Sequence, residues 1–456
     1  MFIFSLIFIF IFLYAINGIL KKREELVLSF FIFALPIYIT ALSTTMVYGF
    51  DKLIPFMQYA KELIIIITLI VLIVRIDAPI KFHLFDKFVL SYLFIVFVYA
   101  ILPLGGLSLY QKLVAAKSIT VFFLVYFIGR IIPYKKINLN KYINYIIAVA
   151  IAAGVVVTIE YFFDSHLQNH TGYAELMFKY FNQASGGDYG LSWTFQTQNG
   201  LKRFASFYSM PLEHAASTLL SLAVIGALIT KNNNNKIIFN KLIIAGILAT
   251  TVSVLFAVSR ASIVSYFLMV YLYAIITMRF KFLRIIHYSL AIIIICFLFY
   301  IQGDVYDFVL NTINFTDSSS LSHLLAWSQS MESIILNPLG IGLGASGNTA
   351  NTFGGSVGGE NEFLIIGVQV GIVGMFIYTF LYGYAIFLSW VSFKHEQGKL
   401  KKLALLIFLL KIGLLLPSLT SEAESYLYIS YLTWFFTGYL INLISSSENY
   451  FLPKKN

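Results

Sequence analysis

The N-terminal stretch "MFIFSLIFIFIFLYAINGILKKREE" (Met1–Glu25) decides the fold class. Its first 20 residues carry no charged side chain, and three cations then follow in a row. About 20 apolar residues in a helix cover the hydrocarbon of a bilayer. No basic segment precedes the run and "KKREE" comes after it, which reverses the charge order of a secretory signal. The stretch therefore predicts a retained first spanning helix with its short N-terminus on the outer side.

The same pattern recurs along the chain. Of the 456 residues, 59% are hydrophobic and only 11% charged, and the mean hydropathy is +0.84. No water-soluble domain carries that composition on its surface. The runs are too long and too poor in alternation for barrel strands. The expected fold is all-α: a polytopic transmembrane bundle of about 12–14 helices forming a single integral membrane domain over 1–456. Thirteen crossings are read, near 2–20, 26–48, 62–76, 88–105, 113–132, 142–163, 212–230, 241–258, 262–279, 285–301, 363–393, 403–417 and 425–444. Cys296, the only cysteine, lies inside an apolar run and can form no intrachain disulfide.

Alternate loops separate by charge. "KKREE", "RIDAPIKFHLFDK", "RIIPYKKINLNK", "KNNNNKIIFNK", "RFKFLR", "KHEQGKLKK" and the tail "PKKN" hold 22 of the 31 lysines and arginines. The positive-inside rule makes these segments cytoplasmic. The net charge of +10 is thus membrane orientation, and no nucleic-acid partner is expected. No internal repeat is visible, which weakens an inverted-repeat transporter reading. Two long outer loops remain, at 164–211 and 302–362, and loops of that length in a compact bundle are functional or disordered. Within the second, "SSSLSHLLAWSQSMESIILNPLG" reads as a helix, because Leu321, Leu324, Leu325, Met331 and Ile335 recur at helical spacing and "NPLG" ends it. It is expected to lie on the outer membrane surface with its apolar face down.

Candidate chemistry collects on this outer side. In "GLKRFASFYSMPLEHAASTLLSL", Lys202 and Arg203 stand shortly before the seventh apolar run, and in "FAVSRASIVSYFL" Arg260 interrupts an apolar hairpin. Either arginine alone is explained by snorkelling; both beside outer helix mouths also suit a forked grip on a diphosphate. The second loop has no Lys or Arg but carries Asp304, Asp307, Asp317, Glu332 and Glu360, with His323 its only possible cation. At "GGENEF", Glu360 is either a solvated capping carboxylate or, partly desolvated beside the bilayer, a usable base, a role Glu362 could share. Gly340, Gly342 and Gly344 follow no strand, which excludes a nucleotide loop. No metal-ligand spacing appears, so neither metal nor other cofactor is expected. Charges inside apolar runs are few, notably Lys117, Lys411 and Glu160, which argues against a proton-driven pump.

Three stretches in order, "KRFASFYSMPLEHAASTL", "FAVSRASIVSYFL" and "AWSQSMESIILNPLGIGLG" followed by "ENEFLIIGVQVGIVGM", resemble the O-antigen polymerase and ligase superfamily (Wzy-type proteins) over about 200–378. The resemblance implies a GT-C-like glycosyltransferase of lipopolysaccharide or other surface-polysaccharide biosynthesis. It would act on the periplasmic face of a bacterial inner membrane on a glycan linked to undecaprenyl pyrophosphate. It also implies roles: Lys202, Arg203, Arg260 and His323 on the donor pyrophosphate; Glu360, Asn361 and Glu362 at the acceptor hydroxyl; Trp193, Tyr208 and Trp327 against sugar faces; a chain-length regulator as a partner. Two departures stand out. His323 replaces the arginine that many members place before the loop tryptophan, and Glu360-Asn361 stands where ligases often show His-Asn. The second favours a polymerase over a ligase that transfers glycan to lipid A core. A transporter or flippase of lipid-linked oligosaccharide is the rival from another class.

Overall fold

The computed structural model describes residues 1–76, 81–197, 200–230, 239–289 and 318–451. Among these the chain is helical, apart from two isolated antiparallel bridges, Gly186↔Leu191 and Gln196↔Lys202. The first helices are α1 (Ile3–Leu20), α2 (Val27–Phe33), α3 (Tyr38–Val47), α4 (Ile54–Val74), α5 (Leu84–Ile101), α6 (Leu109–Ser118), α7 (Val121–Ile131) and α8 (Leu139–Phe162). Then come α9 (Tyr173–Phe181), α10 (Pro211–Ile229), α11 (Lys241–Phe256), α12 (Arg260–Ile276), α13 (Ser318–Leu336), α14 (Asn348–Phe353), α15 (Glu362–His395), α16 (Gly398–Thr420) and α17 (Leu427–Phe451).

Among the described residues eight helices are long and apolar enough to cross a membrane, or ten if each of two bent pairs is one span. The bent pairs fall on two expected crossings. The 26–48 run turns by 69° before α3, next to Pro36, whose ring removes a backbone donor. The 113–132 run turns by 48° between α6 and α7. Helices α11 and α12 are apolar but shorter, and the crossing read at 285–301 lies mostly outside the described residues.

Contacts sort the loops into two ends. At one, Glu24 holds Arg75 at 2.6 Å and Lys136 at 2.5 Å, and Lys399 donates to the carbonyls of Tyr134 and Ile137. This basic end gathers described residues of "KKREE", "RIDAPIKFHLFDK", "RIIPYKKINLNK" and "KHEQGKLKK", four of the segments that the charge pattern groups together. At the other, the Phe2 ring packs on Phe50, Lys179 pairs with Asp51 at 2.6 Å, and the Gln168 amide donates to the carbonyls of Ser206 and Tyr208. The described parts of both long loops belong to this loop end. Between the ends, α7 and α17 approach backbone to backbone: a Cβ at Gly129 would overlap the Phe435 carbonyl, and one at Gly438 the Tyr126 carbonyl. Small residues at a crossing permit such contact, which lipid-embedded helices use in place of hydrophobic drive.

The single crossing expected at 363–393 needs correction. α15 is broken at Val370 and Gly371, the latter at φ +75°, a region that favours glycine. The Phe363 ring lies 5.8 Å from that of Tyr378 and 5.6 Å from that of Tyr382. A straight helix would separate those positions by about 22 and 28 Å. The chain therefore doubles back at Gly371, so that a half-helix from Glu362 returns alongside the full-length limb. The glycine-rich run after α13 fills the break. Ile341 and Gly342 donate to the carbonyls of Val368 and Gln369, Ile372 donates to the Pro338 carbonyl, and the Gln369 amide bonds Gly344 and Ser346. A Cβ at Gly340 would strike the Gly371 amide. Those glycines serve close backbone packing.

Candidate functional site at the loop end

Arg203 and Arg260 come from segments far apart in sequence and are fastened to one turn. Gln196 and Lys202 pair in an isolated antiparallel bridge, with Arg203 N donating to the Phe195 carbonyl at 2.9 Å. The next residue, Phe204, donates to the carbonyl of Phe256, the last residue of α11, at 3.0 Å. Three residues on, Ser259 caps α12 through the Ser262 amide, and Arg260 is the first residue of that helix. Arg203 is half-buried, and among the described residues its Nε has no hydrogen-bond partner. Burial, and then the positive charge of Arg260, lowers its pKa to about 10. Two cations held close enough to repel, one with an unused buried donor, form a place where an anion is electrostatically favoured.

Lys202 takes another direction. Its ammonium lies 2.5 Å from the Asp164 carboxylate and over the Tyr189 ring. His166 is buried nearby among the rings of Tyr189, Phe195 and Phe204. Burial, and then Lys202, lowers its pKa to about 4, so it is neutral at physiological pH.

His323 and Glu360 meet. On α13, which ends before "NPLG" as the sequence predicts, His323 Nδ1 lies 2.5 Å from Glu360 Oε2, with side-chain exposures of 27% and 43%. Trp327, one turn on, is half-buried and its Nε1 has no partner. The buried side of α13 is Ser330 and Ile334, with Gly358 against Ala326 and Ser330 and Gly367 against Ile334. Leu321, Leu324, Leu325, Met331 and Ile335 are left exposed. Trp193 is 70% exposed. Tyr208 is a correction to the sugar-stacking set: it is 1% exposed, and its ring is stacked on His214 at 5.3 Å.

The residues after Glu360 part ways with it. Asn361 is the cap of α15, its Oδ1 accepting from the amides of Phe363 and Leu364, so its side chain is already engaged. Glu362, 2% exposed, turns inward on the half-helix, away from Glu360's partly open position. Its Oε2 accepts from the Glu424 amide at 3.1 Å. Glu424 in turn accepts from Tyr378 and the Trp434 indole at 2.8 Å each, and from Ser430 at 2.5 Å. Glu422 accepts from the Asn348 amide at 2.6 Å. Burial pushes its pKa up to about 7, partly offset by that hydrogen bond. Below them Lys411, fully buried, sits over the rings of Trp434 at 3.9 Å and Tyr382 at 4.5 Å. Its ammonium has no hydrogen-bond acceptor among the described residues.

Sequence reading missed Glu422 and Glu424, although "SLTSEAESY" does set two carboxylates between two apolar runs. Among the described residues no three His, Cys, Asp or Glu side chains are grouped as metal ligands. No protein-family model matches the chain, and no curated protein matches it.

Proposed function

We propose that this multi-pass protein is a glycosyltransferase that polymerises oligosaccharide units carried on a polyprenyl diphosphate, as O-antigen polymerases do. The observation that carries this reading is the juxtaposition of Arg203 and Arg260, with the Nε of Arg203 buried and unpartnered among the described residues. A diphosphate leaving group needs its developing charge neutralised, and fixed guanidinium groups supply that without reorganisation. Glu360, oriented by His323, takes the proton of the acceptor hydroxyl. The freed oxygen attacks the anomeric carbon from the face opposite the leaving group, and the bond from that carbon to the diphosphate oxygen breaks. Undecaprenyl pyrophosphate departs against the arginines, and the configuration inverts. The exposed Trp193 indole offers an amphipathic face for a sugar ring.

A second reading, translocation of the lipid-linked glycan, is favoured by the buried group of Glu362, Glu424 and Lys411. Charges kept inside a membrane bundle are usually functional. One experiment separates the two. The purified full-length chain is reconstituted in liposomes with lipid-linked repeat units and no energy source. Glycan lengthening with inversion at the new linkage, lost in Arg260→Ala, supports the transferase. Transfer of the lipid-linked unit between leaflets with unchanged glycan length overturns it.

A further inference from the structure

We propose a second, independent site: a seat for the phosphate headgroup of an anionic phospholipid at the basic end of the bundle. Where α8 and α16 begin, a cavity of about 280 Å³ is lined by Asn138, Asn140, Gly398, Lys399 and Lys402, with the apolar Ile137 and Leu139 between them. Lys399 donates to the carbonyls of Tyr134 and Ile137, and Lys402 reaches the Asn140 side chain at 3.4 Å. These acceptors are neutral, so both ammonium charges remain unbalanced.

The surroundings deepen the imbalance. Lys135, Lys141 and Lys401 flank the cavity in sequence and rest over the rings of Tyr134, Tyr142 and Phe393. None of these five lysines pairs with a carboxylate among the described residues, whereas Lys136 in the same segment is held by Glu24. The segments 130–141 and 397–402 contain no acidic residue at all. α16 also starts without a side-chain cap from Gln397, and its N-terminus adds the positive end of its dipole.

The position selects a lipid over a free anion. Both helices are spanning candidates by length and composition, so in a bilayer their first residues would meet the headgroup layer. The positive-inside rule places this end at the leaflet that carries anionic lipid, and basic pockets between helices on that side hold phosphate headgroups. Ile137 and Leu139 give the acyl portion an apolar wall.

The test uses the full chain in detergent micelles, titrated with phosphatidylglycerol, phosphatidylcholine or inorganic phosphate. Bound lipid is read by native mass spectrometry and thermal stabilisation by intrinsic fluorescence. Phosphatidylglycerol should bind and stabilise, the other two should not. Lys402→Gln and Lys399→Gln should each weaken its binding about fivefold, from roughly 1 kcal/mol per cation near the surface. Lys399→Arg should retain it, and Lys52→Gln at the loop end should leave it unchanged. Should Lys399→Gln fold poorly, Lys402→Gln still decides. Equal binding of phosphatidylcholine, equal stabilisation by inorganic phosphate, or unaltered phosphatidylglycerol affinity in Lys402→Gln overturns the proposal.

Discussion

Two groups of buried charge lie toward opposite ends of this bundle, and they are satisfied very differently. Near the basic end, Asp86 meets Arg130 Nε at 3.1 Å, accepts from Tyr126 at 2.5 Å and from the His83 amide at 2.7 Å, and Arg130 spends another nitrogen on the Lys81 carbonyl. One acid faces one base. Toward the loop end, Glu362 and Glu424 share the field of one lysine and Glu422 lies near Glu362, and among the described residues neither the Lys411 ammonium nor the Tyr92 hydroxyl has a hydrogen-bond partner. Buried polar groups in proteins are nearly always paired, so exceptions call for a reason beyond stability. The Asp86–Arg130 pair closes a capping box at the start of α5 and ties it to α7. The loop-end group sits where the half-helix, the 421–426 connection and α17 converge. The comparison teaches that one group fastens the fold and the other is held in readiness.

The largest expected effect tests the fastening role. Arg130→Met leaves Asp86 buried without its counter-charge, and breaking such a pair costs about 3–5 kcal/mol. Reversible unfolding in mixed micelles should record that loss, with little folded protein recovered at growth temperature. A loss below about 1 kcal/mol would mean that Asp86 finds water or another partner, and the contrast would fail.

Next comes the arginine pair. Arg260→Ala should lower polymer formation by about 10²–10³, the usual loss on removing one preorganised charge-stabilising donor, while yield of membrane-inserted protein is unchanged. Arg203→Ala should behave alike, and the double variant should lose less than the product of the two, because both act on one leaving group. Multiplicative losses would indicate separate sites.

Much of this architecture is legible in the sequence, because crossing a bilayer demands long apolar runs and charge sorts their ends. α1, α5, α8, α10, α16 and α17 coincide with runs read from hydropathy alone. α15 does not, since Val370 and Gly371 are as apolar as the residues around them. The break is made by "NPLGIGLG" packing into it, a contact no local pattern encodes. The site was readable to the same extent. Arg203 and Arg260 each precede an apolar run, so both were bound to appear at one membrane face. That Glu362 would turn inward, two residues after a partly exposed Glu360, depended on the cap at Asn361 and the fold-back. Glu422 and Glu424 carry no local signal in the sequence because their partners, Asn348, Tyr378 and Trp434, lie on other elements.

The next effect sharpens the contrast from the other group. Lys411→Met keeps the stem's packing against Trp434 and Tyr382 but removes an ammonium that bonds to no acceptor. The lost cation–π attraction, of order 2 kcal/mol, and the through-space attraction to Glu362 and Glu424, with which Lys411 makes no direct ion pair among the described residues, are offset by the desolvation no longer incurred. Net destabilisation should stay under about 1 kcal/mol, well below that of Arg130→Met in the same assay. If glycan synthesis also survives unchanged, the loop-end group has no part in function.

The smallest effect is a slope. In the folded chain burial raises the Glu422 pKa to about 7, above the usual carboxylate value near 4.5. Between those two pH values the unfolded chain has released this proton and the folded chain still holds it. Stability from this residue is therefore complete below about pH 4.5 and is lost as pH rises through about 7. Glu422→Gln, which preserves an oxygen for the Asn348 amide, should flatten that decline, so that wild-type and variant unfolding midpoints diverge progressively between pH 5 and 7. Parallel curves across that window would show that Glu422 is ionised in the fold at pH 5, and its carboxylate would then be a plain cap on α14.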